Sequence, residues 1–119
     1  MSADPDPATE RAAERERRII DVLVSLNEGE VTTYGDVADV AGYPKMSRLV
    51  GRIVGHTDVE IPWWRVVNST GHLRSSDPKE QAVILAEEDV VCRNGRVVDA
   101  PLGRFARDRS APLPGGQLT

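Results

Sequence analysis

The chain's two tryptophans are neighbours, Trp63 and Trp64, in the run Ile61-Pro62-Trp63-Trp64-Arg65-Val66-Val67-Asn68-Ser69-Thr70-Gly71. Neither an indole ring nor its nitrogen acts as a nucleophile or base at neutral pH, so this run offers contact and not reaction. A tryptophan beside a proline buries a large apolar area and asks for one hydrogen-bond partner, which suits a core as well as a pocket wall. The one thiol, Cys92, has no adjacent histidine. A cysteine becomes a nucleophile where a base or positive field makes it a thiolate, so Cys92 reads as a buried, inert side chain. Basic chemistry is gathered elsewhere. On a helical wheel Lys45, Arg48 and Arg52 share a face, Ser47, Gly51 and Gly55 form a small-residue edge at spacing four, and Met46, Leu49, Val50, Ile53 and Val54 make an apolar arc. Basic side chains find phosphates, and a small edge lets a backbone approach a groove closely. Taken alone, the same helix is equally well explained by close packing with solvated bases.

Local signals place these residues on elements. Residues 1–9 (MSADPDPAT) are polar, acidic and broken by two prolines, and read as a disordered leader. A helix is predicted from Arg11 to Leu26, with apolar Ile19, Ile20, Leu23, Val24 and Leu26 in its later half and Gly29 past its end. Val31-Thr32 is an extended link, and Thr33 is placed to cap a helix from Tyr34 to about Ala41, with Asp36 three residues on. Gly42 and Pro44 make the turn, and Pro44 is suited to open the basic helix, about Lys45 to Val54. A strand is expected from Trp64 to Val67, then the turn Asn68-Ser69-Thr70-Gly71, a polar loop to Lys79 and a short helix from Glu80 to Glu88. Asn94-Gly95 between Val90–Arg93 and Arg96–Val98 signals a hairpin, which after a helix-turn-helix is a wing. Ser110 to Thr119, rich in proline and glycine, reads as a flexible tail. The expected fold is mainly α with small β, a winged helix-turn-helix domain over residues 10–107 between the leader and a tail at 108–119.

Composition bounds the function. A chain of 119 residues makes one domain with a modest core. Its net charge of −4 is unevenly spread: residues 1–30 hold eight acids and four bases, residues 31–74 four and five, and residues 75–119 seven and six. Such a balance excludes a large nonspecific phosphate footprint, so affinity for ordinary duplex is expected to be weak and strongly salt-dependent, carried by a local basic stripe. The acidic first thirty residues and short apolar runs resemble neither a signal peptide nor a membrane span. The lone cysteine fits a reducing compartment, so a cytoplasmic location and no membrane partner are expected.

The run around Trp63 closely resembles the active-site strand of the DNA alkyltransferases that repair O6-alkylguanine. In that family it reads Pro-Cys-His-Arg-Val, the cysteine taking the alkyl group and the histidine helping to deprotonate it; here Trp63 and Trp64 stand at those two places. The resemblance extends to Thr33-Tyr34-Gly35-Asp36-Val37-Ala38 and Ala41-Gly42-Tyr43-Pro44-Lys45-Met46-Ser47-Arg48-Leu49-Val50-Gly51, which match the family's helix-turn-helix. Gln81 to Val90 resembles its closing helix, with Asp89 where a glycine is usual, so the similarity runs over roughly residues 16–105. With its acceptor replaced, the chain resembles the alkyltransferase-like proteins, a recognition fold without the reaction. The bifunctional repair enzymes usually carry a separate domain before this one, for which the chain has no room.

The resemblance implies roles residue by residue. Tyr34 would contact the phosphate beside the target nucleotide and help rotate it, and Arg48 would fill the base stack in place of the extruded guanine. Lys45, Ser47, Gly51 and Arg52 complete the DNA-binding set, Lys45 and Arg52 as phosphate contacts. The lesion pocket is expected to hold Tyr34, Trp63, Arg65, Val67, Leu73, Arg74 and Ser76, with Trp63 as an aromatic wall. Some alkyltransferase-like proteins carry a guanine-probing arginine at the position of Ser76, with Arg74 the nearest base here. Trp64 departs from their usual Pro-Trp-His-Arg and reads as structural, filling the space of the histidine and its water; Glu88 thereby loses the histidine it would orient, leaving a helix-end or ion-pair role. Arg65 is also an internal anchor for strand and loop. His56-Thr57 lies where many relatives carry Asn-Pro at a hinge, so His56 is either a hinge residue or a helix-end cation.

These expectations combine into a monomeric, non-enzymatic DNA damage sensor without metal or cofactor. It binds duplex DNA in the minor groove, flips O6-alkylguanine and hands the lesion to nucleotide excision repair proteins, associating with the nucleoid when bound. A plain winged-helix DNA-binding or regulatory module with a pocket filled by the two tryptophans is the alternative, and an enzyme using Cys92 is remote. An open cavity beside Trp63 distinguishes the sensor from the module.

Overall fold

Ile19, Val22 and Leu23 fall on one face of a helix and are wholly buried in the computed structural model, which describes residues 6–103. That helix, α1 (Pro7–Val24), is followed by β1 (Thr32–Thr33), α2 (Tyr34–Ala41), α3 (Ser47–His56), a 3-10 turn (Trp63–Arg65), β2 (Val66–Val67), α4 (Pro78–Glu87), β3 (Val91–Arg93) and β4 (Arg96–Asp99). The result is the expected mainly helical domain with small sheets and a hairpin wing. Its apolar residues form two clusters. Val37, Ala38, Ala41, Val50 and Ile53 join the α1 face in the first, and Val31, Val67, Leu73, Leu85 and Val90 make the second. The parallel β1–β2 pair, Thr32 opposite Val66 and Thr33 opposite Val67, stitches them together. Successive strand residues face opposite ways, so Val66 enters the first cluster and Val67 the second.

Several boundaries differ from the sequence reading, each for a local reason. Asp6 caps α1 by accepting from the Ala8 N–H at 3.1 Å, and Pro7 takes a first-turn place where its missing N–H costs nothing. Residues 7–9 are therefore helix and not leader, while residues 1–5 and the 108–119 tail lie outside the described residues. At its other end α1 stops at Val24, two residues before the expected Leu26, with Ser25 as its cap. Thr33 caps α2 as expected, its hydroxyl accepting from the Asp36 N–H at 3.0 Å, and Gly42 ends it in the left-handed conformation. Pro44 does not open α3. Tyr43-Pro44-Lys45-Met46 is a turn closed by the Met46 N–H on the Tyr43 carbonyl at 3.3 Å, with Lys45 at φ +70°, so α3 begins at Ser47 and not Lys45. The last helix starts at Pro78 and not Glu80, because Asp77 accepts from the Glu80 N–H at 3.0 Å as its cap.

The wing is held at both ends. Asn94 and Gly95 both have positive φ, the requirement of the two-residue hairpin turn that Asn-Gly signals. Asn68 organises the preceding loop: its side-chain oxygen accepts from Thr70 N at 3.0 Å and His72 N at 2.8 Å. Wing and loop are then joined by Leu73 N to the Gly95 carbonyl and Val97 N to the Gly71 carbonyl, both 2.9 Å.

Candidate nucleic-acid interface

The Trp-Trp-Arg run is a 3-10 turn and not the expected strand; only Val66–Val67 is extended. A 3-10 turn rotates about 120° per residue, so three consecutive side chains leave in three directions. Trp64 and Arg65 go to Glu88. Its Oε2 accepts from Trp64 Nε1 at 2.8 Å and Arg65 Nη2 at 2.7 Å, and its Oε1 from Arg65 Nε and Gly29 N, each at 3.0 Å. Arg65 Nη1 donates to the Leu26 carbonyl at 2.9 Å, and its guanidinium lies 5.3 Å from the Trp64 ring centroid. One carboxylate thus ties the end of α4 to the 3-10 turn and to the link after α1. Burial works to raise the Glu88 pKa, but the hydrogen bonds from Arg65, Gly29 and Trp64, together with the Arg65 charge, hold it below the ordinary carboxylate value.

This arrangement corrects one expectation and supports another. Glu88 has not lost its partner: the indole N–H of Trp64 donates to it. An indole N–H only donates, so the link positions but accepts no proton. The expected ion pair and internal-anchor role of Arg65 are both present in the geometry. Buried Gln81 steadies the turn from beneath, donating through Nε2 to the carbonyls of Trp64 at 3.1 Å and Val66 at 2.9 Å.

Trp63 points the other way. Its ring meets Trp64 edge to face, centroids 5.9 Å apart at 85°, and lines an open cavity of about 570 Å³. Tyr34, Gly51, Val54 and Gly55 form one side of that cavity, and Arg74, Ser75, Ser76, Asp77 and Glu80 the other. Its volume is in the roughly 300–1,000 Å³ range of small-molecule sites. A β-carbon on Gly51 would rest in ordinary contact with the Tyr34 ring, at 3.9 Å, and one on Gly55 would meet nothing within 4 Å, so the two glycines leave that space to the cavity. Burial raises the Tyr34 phenol, which keeps its hydroxyl a donor at neutral pH. Trp63 also lines a second cavity, of about 550 Å³, together with Val24, Ile61, Trp64 and Arg65.

Of the expected pocket residues, Tyr34, Trp63, Arg74 and Ser76 are brought together and three are not. Val67 and Leu73 are buried in the second apolar cluster, where β2 alternation and the docked wing hold them, and Arg65 is turned away into the Glu88 clamp. Val54, Gly55, Ser75, Asp77 and Glu80 were missed as lining residues; Gly55 was signalled by the small-residue edge, and Asp77 by the Asp-Pro-x-Glu capping pattern. On the docking side Lys45, in the turn before α3, and Arg48 and Arg52 on α3 are exposed, while Ser47 and Gly51 of that helix are half-buried. His56 is the last residue of α3, at the negative end of the helix dipole. Cys92 is half-buried against the second cluster, and burial raises its thiol pKa, away from reactivity. No described group of histidine, cysteine and carboxylate side chains could hold a metal ion, and no described helix is long and apolar enough to cross a membrane.

Comparison with known proteins agrees with this architecture. Residues 14–90 match the family described as 6-O-methylguanine DNA methyltransferase, DNA binding domain. The DNA base-flipping protein of Escherichia coli (strain K12) is 36% identical over 89 residues, covering 68% of this chain and 67% of that protein. Alkyltransferase-like protein 1 of Schizosaccharomyces pombe is 36% identical over 62 residues, 50% of this chain and 57% of its own length. The crystal structure of S. pombe Atl1 in complex with damaged DNA containing O6-carboxymethylguanine superposes with a TM-score of 0.62 at 28% identity, covering 76% of this chain and 91% of that one.

Proposed function

The chain belongs to the family of the 6-O-methylguanine DNA methyltransferase DNA-binding domain, and from that premise we propose that it recognises O6-alkylguanine in duplex DNA by base flipping, without transferring the alkyl group. The observation that carries this reading is the open cavity between Tyr34, the glycine edge of α3 and Trp63. A pocket filled by both tryptophans would have favoured a plain winged-helix module. Helix α3 docks in the minor groove, Lys45 and Arg52 hold phosphates, and Arg48 enters the stack as Tyr34 turns the nucleotide outward. The extruded base stacks on Trp63, and Arg74 meets it in place of the probing arginine that Ser76 lacks.

Chemistry stops at binding. Position 63 has no thiol, position 64 has an indole that takes no proton, and Cys92 sits away on the wing. A bound but unrepaired base needs a second activity to remove it, which makes the protein a monomeric intracellular marker for nucleotide excision repair. Titration of matched duplexes carrying guanine or O6-methylguanine tests the reading: the lesion is expected to bind more tightly, and Arg48→Ala to weaken lesion binding more than binding to undamaged duplex. Equal affinities in the wild type, or radiolabel passing from O6-methylguanine to protein, would overturn it.

A further inference from the structure

Away from the tryptophan cavity, α1 and α3 enclose a cleft of about 350 Å³ whose charged lining is Arg15 and Glu16 from α1 and Arg52 and His56 from α3. Arg15 is the unusual member. Its Nε–H is buried and has no hydrogen-bond partner among the described residues, an arrangement that costs free energy unless a ligand or solvent supplies an acceptor. Its neighbours one helical turn away, Arg11, Ala12, Arg18 and Ile19, include no acid; Glu10 and Glu14 line an adjoining cavity with Arg15 and Tyr43, but Glu14 pairs with Arg17 and Arg18, and no ion pair among the described residues joins either acid to Arg15. The guanidinium is nonetheless held in place, 5.9 Å from the centroid of the Tyr43 ring. Across the cleft, α3 contains no carboxylate, and Arg52 and His56 stand at spacing four on one face of it. Glu16 is the one acid facing three bases, and no ion pair among the described residues joins it to them.

We propose that this cleft is a phosphate site, in which Arg15, Arg52 and His56 together bind one phosphodiester of the DNA backbone. A planar guanidinium with free donors is suited to a phosphate's paired oxygens, a shared anion offsets the repulsion between the two arginines, and the His56 ring offers a further N–H donor. The site extends the footprint from the helix-turn-helix onto α1, and it reads no sequence and no lesion. This inference adds to the proposed function and is separable from it, since it concerns undamaged duplex as much as damaged.

The test is the salt dependence of binding by the full chain to undamaged duplex, for wild type, Arg15→Gln, Arg52→Gln and the double variant. Each single variant is expected to lower the magnitude of the log affinity against log salt slope by about one, with equal loss for guanine and O6-methylguanine duplexes. Because the arginines share one phosphate, the double variant is expected to lose little more slope than either single one. Arg15→Lys, which keeps the charge, restores most of the slope and separates loss of charge from loss of folding. Amide and side-chain NMR supplies the second arm: duplex shifts the Arg15 Nε–H and His56 ring signals, and millimolar inorganic phosphate shifts the same signals less. Unchanged slope in Arg15→Gln while the wild type still binds duplex overturns the cleft and leaves the proposed function standing. Signals that respond to inorganic phosphate but not to duplex overturn the DNA assignment, and a wild type that binds no duplex overturns both readings.

Discussion

The two tryptophans are adjacent in sequence and share an edge-to-face contact, yet the regions they enter are opposite in kind. Trp64 lies in a saturated network: one carboxylate takes four N–H donors from two other segments, with distances of 2.7 to 3.0 Å. Trp63 lies on the wall of an open cavity lined by glycines, serines and exposed charges. The difference shows how one short turn can carry a rigid anchor and a binding surface on adjacent residues. Donors that tie the turn to Glu88 remain, so the backbone is fixed, while the position facing the cavity is free to present a surface in place of a reagent.

If the clamp is the rigid half of the pair, breaking it produces the largest effect on stability. Glu88→Ala leaves the Arg65 charge, the Trp64 N–H and the Gly29 N–H without their acceptor in a buried setting. A loss of about 3 kcal/mol is expected on that ground. Urea denaturation followed by tryptophan fluorescence measures it; a loss under about 1 kcal/mol would mean that the network is ornamental to folding.

The opposite half should respond in binding. Trp63→Ala removes the aromatic wall but none of the clamp's hydrogen bonds, so lesion affinity is expected to fall by about 2 kcal/mol, near thirtyfold, from lost stacking. Its cost in stability should be smaller than that of Glu88→Ala. Paired titrations on guanine and O6-methylguanine duplexes decide the matter, because loss of both affinities by one factor would make Trp63 a structural residue like its neighbour.

Sequence reached these two halves unequally. Local chemistry was readable where one residue type answers one backbone need: Thr33 as a cap, Gly42 as a left-handed helix stop, Asn94-Gly95 as a hairpin turn. It failed where the partner is distant. Trp64 and Glu88 are 24 positions apart, and nothing in either residue's type says that the indole N–H reaches this carboxylate. The resemblance puts Val67 and Leu73 in the pocket, but strand alternation and the docked wing turn both inward. The start of α1 is hidden in the sequence because Pro7 reads as a second break in a polar, acidic stretch, whereas Asp6 and Pro7 form a cap and a first-turn residue.

A milder change sharpens the contrast through pH. The folded Glu88 pKa lies below its unfolded value of about 4.3, so its ionised form contributes stability that is complete above that pH and lost as pH falls toward the folded value. Glu88→Gln keeps an acceptor but no charge. The stability gap between wild type and Glu88→Gln is therefore expected to be widest at neutral pH and to close below about pH 4. A gap that does not change with pH would assign the clamp's strength to shape and hydrogen bonding rather than to the Arg65–Glu88 charge pair.

The smallest expected effect concerns the residue that follows Glu88. Asp89 has φ +66° and stands where the resemblance leads one to expect glycine, so the chain leaves the clamp through a left-handed position occupied by a side chain. That conformation costs an ordinary residue about 1–2 kcal/mol, although aspartate tolerates it better than most. Glycine removes the steric cost but adds freedom to the unfolded chain, worth about 0.4–1 kcal/mol in the opposite direction. Asp89→Gly is therefore expected to stabilise by roughly half a kcal/mol, and Asp89→Ala to destabilise, since alanine retains the steric cost without a short polar group. Because the change lies on the rigid side of the pair and touches no cavity residue, lesion selectivity should stay where it was. Thermal melts of the three proteins give the order: alanine melting above glycine would show that strain at this exit is not what distinguishes aspartate from the usual glycine, and altered selectivity would show that the clamp tunes the cavity as well as the fold.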